Sequence, residues 1–161
     1  MSTGSSPPTT LWRRRAVTGD GGPRRTEYTL EGFAVPEQLD AVHTLLAQAA
    51  GDHPWLDPTD VMLFETAIIE IANNVVEYGR PEGEVRWKFT IRVHEEEIEA
   101  ELEDTGQTFT PEHGREMPGE DAEGGRGLAL AEAVLDQIEF QRFEDTNHWR
   151  MVRRLGGLAR G

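Results

Sequence analysis

The 161-residue sequence contains no cysteine. Disulfides, thiol nucleophiles and cysteine-based zinc sites are therefore excluded together. Lysine is almost as scarce, with Lys88 the only one. This disfavours a P-loop NTPase or a eukaryotic-type protein kinase, both of which set a lysine on the phosphates. No G-x-x-x-x-G-K-S/T run occurs either. No apolar run approaches a membrane span, and no N-terminal stretch has the apolar h-region of a signal peptide. The expectation is a cytoplasmic protein that meets no membrane. The five histidines (His43, His53, His94, His113, His148) form no pair at metal-ligand spacing, and they read as surface or packing residues.

Acid is what the chain has in excess. Asp and Glu number 30 against 16 Lys and Arg, for a net charge of −14. Residues 1–25 carry five arginines and one aspartate, a balance of +4, so residues 26–161 hold −18. An acidic domain suits a basic protein partner better than nucleic acid, and no direct nucleic-acid contact is expected. The length suits one domain with a full core. We place that domain at 26–161, after a basic tail at 1–25 whose Ser, Thr, Gly, Pro and Arg content predicts disorder.

Periodicity organises the domain around residues 64–79. Phe64, Ile68, Ile71 and Val75 share one helical face, and Ile69 and Val76 fall on another, so the helix is covered over most of its circumference. Asp57 reads as its cap, Pro58 as its first residue and Gly79 as its stop. Upstream, a strand from Tyr28 to about Val35 leads to a helix from Pro36 to Gly51. Residues 84–94 alternate, with Val85, Trp87, Phe89, Ile91 and Val93 on one face. Ile98, Ala100 and Leu102 repeat this over 97–103 against four glutamates, which predicts adjacent antiparallel strands, one face packed and one wet. A long segment rich in Pro, Gly and charge follows, and Gly124-Gly125-Arg126-Gly127 opens a helix carrying Leu128, Ala131, Val134 and Leu135. Two strands, near 137–144 and 147–155, close the chain.

Three groups on this frame carry chemistry. Glu70 and Asn74 stand one turn apart beside the apolar stripe. Burying either unsatisfied costs about 1–3 kcal/mol, so they are bonded internally or they serve a ligand. Asp104-Thr105-Gly106 ends a strand, where a carboxylate can accept from an exocyclic amine. Gly125-x-Gly127 opens a helix, where bare backbone N–H groups and the positive dipole end suit phosphate. Each is weak alone. In this order, with a lid-sized segment between the last two, they describe a nucleotide site.

The combination resembles the GHKL (Bergerat-fold) ATPase superfamily, and within it the RsbW-type anti-sigma-factor serine kinases. Glu70-Ile71-Ala72-Asn73-Asn74 resembles the N box, Asp104-Thr105-Gly106 the G1 box and Gly124-Gly125-Arg126-Gly127-Leu128 the G2 box; Asn147–Leu155 resembles the last strand. The resemblance covers about residues 26–155 and implies an α+β fold, a two-layer sandwich of mostly antiparallel sheet with helices on one face. It implies ATP and Mg²⁺ as cofactors, Glu70 as general base and Asn74 as metal ligand. Asp104 would read adenine, with Gly106, Gly124, Gly125, Arg126, Gly127, Leu128 and an adenine-side Thr146 completing the ATP site, and residues 107–123 as lid. The implied partners are a sigma factor and an anti-anti-sigma (STAS) protein phosphorylated on serine or threonine, with a homodimer also allowed. The chain departs from the pattern at Tyr78, where these kinases often carry His, and at Thr108, the third G1 glycine. It departs again at Asp121-Ala122-Glu123, where some relatives place an arginine before the G2 glycines; Arg126 or Arg115 is the candidate replacement. The alternative is therefore a non-catalytic ATP-binding module of the same fold.

Overall fold

The computed structural model describes residues 11–17, 25–108 and 122–156. Its strands are β1 (Leu11–Val17), β2 (Arg25–Phe33), β3 (Arg86–Val93), β4 (Glu97–Asp104), β5 (Gln137–Phe143) and β6 (Thr146–Arg154). Its α-helices are α1 (Leu39–Gly51), entered through a 3-10 turn at Pro36–Gln38, α2 (Pro58–Tyr78) and α3 (Ala122–Val134). The strands form one sheet in the order β1-β2-β3-β4-β6-β5, antiparallel throughout. The helices cover one face, which gives the α+β two-layer sandwich expected from the sequence. Among the described residues no helix is long and apolar enough to cross a membrane.

Strand alternation decides what lies under the helices. Phe89 pairs with Leu102, Ile91 with Ala100 and Val93 with Ile98. The same rows continue into β6, where Leu102 meets Trp149 and Ala100 meets Met151. Tyr28 and Leu30 extend them on the β2 side, and all of these side chains are buried. One end row breaks the apolar pattern: Trp87 pairs with Asp104, Asp104 with Asn147 and Asn147 with Arg142.

The other face is a lattice of charge. Arg92 reaches Glu27 at 2.8 Å and Glu101 at 2.7 Å, and Arg150 reaches Glu99 at 2.6 Å. His94 and Glu97 stand near Glu99, but Glu99 is already engaged by Arg150 and, at 3.5 Å, by Arg92. The group is an ion-pair network rather than a metal site.

Over this sheet α2 buries Phe64, Ala67, Ile68, Ile71, Ala72 and Val75. Its start is fixed by Asp57, whose Oδ1 accepts from the Thr59 N–H at 2.7 Å, and by Pro58 at the first helical position. Arg153 of β6 ties the layers together. It meets Asp60 in the first turn of α2 at 2.8–2.9 Å and donates to the Val134 carbonyl at the end of α3. Each charge complements the local helix dipole.

The predicted disordered tail is corrected in part. Residues 11–17 form the edge strand β1, in register from Leu11 opposite Glu31 to Val17 opposite Arg25. An edge strand needs only a backbone partner, so its sequence need not show an apolar alternation, and charge is common there. The rest of that segment, 1–10 and 18–24, lies outside the described residues.

Candidate functional site

Glu70 and Asn74 stand on successive turns of α2, Glu70 against Gly127 of α3 and Asn74 in a pocket with Asp104. Gly127 is what allows α3 to come so close: a Cβ built there would collide with Glu70 Oε2 and lie 3.3 Å from its Cδ. Glu70 is half-buried, and its carboxylate has no hydrogen-bond or ion-pair partner among the described residues. Asn74 is buried at 4% exposure, and its Nδ2 finds no acceptor among the described residues. A buried donor left open costs about 1–3 kcal/mol. Its place in a pocket with Val75, Tyr78, Gly79, Asp104, Gln107 and Asn147 points to a polar ligand as the missing partner.

Asp104 forms the floor of that pocket at 3% exposure. Its Oδ1 accepts from the Gly106 N–H at 2.9 Å and from Asn147 Nδ2 at 2.8 Å, which leaves Oδ2 open among the described residues. Burial raises the Asp104 pKa above the ordinary carboxylate value, against the opposing pull of Asn147, the Gly106 N–H and the charge of Arg142. Gly106 is confined as well, since a Cβ there would stand 3.1 Å from Asp104 Oδ1 and 3.4 Å from both Val85 methyls. Gln107 donates to the Tyr78 carbonyl at 2.7 Å and so fastens the end of β4 to the end of α2. The geometry is a buried acceptor, Asp104, in one pocket with the amide of Asn74, while the carboxylate of Glu70, one turn before Asn74 on α2, packs against Gly127 of α3.

The structure thus brings Asn74, Asp104 and Gly106 together at one pocket and sets Gly127 against Glu70, one turn before Asn74. Gly124, Gly125 and Arg126 lie within the first turns of α3, which begins at Ala122 and not at the glycines. Leu128 is a core residue, 3% exposed. Thr146 opens β6 opposite Phe143, and strand alternation turns it away from Asp104. Asn147, one residue on, takes the place beside the carboxylate, buried at 1% exposure. Of the expected lid at 107–123, residues 109–121, with Arg115 and Asp121, lie outside the described residues.

Two residues of this site escape the sequence reading, Asn147 and Arg142. Arg142 Nη1 donates to Asn147 Oδ1 and to the Gly106 carbonyl, both at 2.9 Å. The signal for Asn147 was available: Trp149 and Met151 fix the buried face of the last strand, and Asn147 is the next residue on that face. A comparison with curated proteins gives no match. Residues 34–153, well over half of the sequence and including every box described above, match the family described as the histidine kinase-like ATPase domain, and the chain belongs to that family.

Proposed function

We propose that the chain is an ATP-dependent protein serine kinase that also sequesters a sigma factor, with a small anti-anti-sigma (STAS) protein as its phosphoryl acceptor. Family membership supports ATP binding and ATP-dependent phosphoryl transfer in general. The observation that carries the kinase reading is Glu70. Its carboxylate has no partner among the described residues, stands against Gly127 of α3 and lies one turn from Asn74. A base so placed can take the proton of an attacking hydroxyl, which typically contributes about 10²–10⁴-fold.

Mg²⁺ fits the residues present. Asn74 lines the pocket, and its amide oxygen is a hard ligand of the kind Mg²⁺ takes alongside phosphates and water. Bound there, the ion would supply charge neutralisation on the phosphates. The chain's own residues do the rest. Asp104 accepts from the adenine amine, the open backbone N–H groups in the first turn of α3, up to Gly124, approach the phosphates, and Glu70 holds the proton.

Charge supports the switch between partners. A phosphoserine adds about −1.5 to −2 charges at neutral pH. Facing a chain of net charge −14, a phosphorylated acceptor should bind at least about tenfold more weakly, or about 1.4 kcal/mol. The product then leaves and the sigma factor binds again.

The test is incubation with labelled ATP, Mg²⁺ and candidate STAS proteins, for the wild type and Glu70→Gln. We expect label on one serine or threonine, with ATP binding retained and transfer down about 10²-fold in the variant. Equal turnover by the variant would show that the glutamate is structural. A second reading, an ATP-binding anti-sigma module without transfer, is favoured by Asp121-Ala122-Glu123 preceding the glycines where some relatives have an arginine. Its signature is ATP binding and sigma capture with no label on any acceptor.

A further inference from the structure

We propose that Arg142 and Asn147 are positioning residues that set base selectivity, locking Asp104 so that its Oδ2 faces an exocyclic amine and rejects a carbonyl. This rests on the nucleotide reading above and extends it, because selectivity then belongs to the β5–β6 hairpin as well as to Asp104.

The hydrogen bonds admit one arrangement of this cluster. Asn147 Nδ2 is surrounded by acceptors: Asp104 Oδ1 at 2.8 Å, the Gln107 carbonyl at 2.8 Å and the Gly106 carbonyl at 3.3 Å. Its Oδ1 faces Arg142 Nη1 at 2.9 Å. Rotating the amide by half a turn would set oxygen against a carboxylate and two carbonyls, and NH₂ against a guanidinium, so every contact would become repulsive. Arg142 fixes the amide from one side and Asp104 from the other. Arg142 also holds the Gly106 carbonyl at 2.9 Å, while the Gly106 N–H binds Asp104 Oδ1. Among the described residues, Arg142 is the only charged group that acts on the buried Asp104.

The consequence for a ligand follows from which atom each base presents. Adenine offers an amine to Oδ2, and guanine would offer its O6 carbonyl at the same place. A fixed, desolvated acceptor rejects the second strongly, because neither oxygen can find a donor. Without Arg142 the amide loses its donor and the carboxylate loses its nearest counter-charge. Asp104 can then turn or take up a proton, and the penalty on guanine falls. Arg142 does not line the pocket that holds Asp104 and Asn147, so it acts through Asn147 and Asp104.

The experiment measures ATP and GTP dissociation constants by calorimetry for the full chain, Arg142→Gln and Arg142→Lys, with folding checked by circular dichroism. In the glutamine variant we expect ATP to bind about tenfold more weakly while GTP is unchanged or tighter, so the ratio falls at least tenfold. Lysine keeps the charge and should restore most of the ratio. Equal weakening of both nucleotides in Arg142→Gln, or a lysine variant no better than the glutamine one, would overturn the assignment and leave a merely structural arginine. Absence of ATP binding by the wild type would instead remove the nucleotide reading and the proposal with it.

Discussion

Replacing Gly127 with alanine should separate stability from activity, and the structure fixes the sign of both effects. Glycine in a helix interior costs about 0.8–1.0 kcal/mol relative to alanine, and Gly127 lies within α3. A new Cβ would meet Glu70 Oε2 and Cδ. These atoms are the far end of a flexible side chain, so Glu70 can swing aside at about 0.5–1.5 kcal/mol, the scale of an off-rotamer torsion. The two terms nearly cancel, and the net change in stability should stay within about 1 kcal/mol, or about 2–4 °C in Tm for a chain of this size. The displaced carboxylate, however, no longer stands where it can take a proton, and about 1 Å of misplacement can cost about 10²-fold. The assay pairs thermal melting with phosphoryl transfer from labelled ATP under saturating nucleotide. A loss of stability above about 2 kcal/mol, or transfer within about threefold of wild type, would refute the assignment of this contact.

Asp104→Asn should oppose function to stability. Its amide oxygen can still accept from Gly106 and Asn147, so ATP affinity should fall about tenfold or more by calorimetry while the fold keeps its bonds. Because burial raises the Asp104 pKa, the folded state holds this proton more tightly than the unfolded chain, and the group costs stability as pH rises from about 3.9 through the raised value. Asp104→Asn should therefore melt higher than wild type at pH 7, with the gain gone below about pH 4; a gain that persists in acid would contradict this. Arg153→Ala strands a mostly buried Asp60 and uncaps the last carbonyl of α3, and should cost about 2 kcal/mol in urea unfolding. Deleting residues 1–24 removes β1 and bares the edge of β2; we expect a lower Tm and concentration-dependent association in light scattering, and a melt identical to the full chain would show that β1 contributes nothing.

What the sequence made legible follows from how many independent signals each element carries. For α2 the apolar spacing, the Asp57-Pro58 start and the Gly79 stop agree, and the helix runs from Pro58 to Tyr78. The β3–β4 hairpin was as clear, because alternation over two strands fixes both the faces and the pairing. By contrast, β1 had no such signal, since pairing through backbone alone leaves no pattern in the side chains. The first turn of α3 was hidden for the opposite reason. Gly124, Gly125 and Gly127 are poor helix formers, so they read as the opening of the helix, although it starts at Ala122 and the glycines lie inside it.

The candidate site shows why motif and period have to be read together. The motif alone led to Thr146, whereas the period of the strand leads to Asn147. Ile138, Phe140 and Arg142 share one face of β5, as Asn147, Trp149 and Met151 do in β6. In each strand the apolar run on the helix-covered face ends in a polar residue, which in isolation reads as a strand emerging into water. Register removes that reading. Arg142, Asn147 and Asp104 stand in one row, and Asn147 and Asp104 are almost wholly buried. Three polar side chains at the edge of an apolar layer would each carry a desolvation cost alone. Placed side by side they satisfy one another, except for the carboxylate oxygen Oδ2 of Asp104 and, across the pocket, the nitrogen of Asn74. An acceptor and a donor left open in the same dry pocket are what a ligand with its own donors and acceptors can complete. The nucleotide site therefore sits where the apolar rows under the helices give way to this polar row.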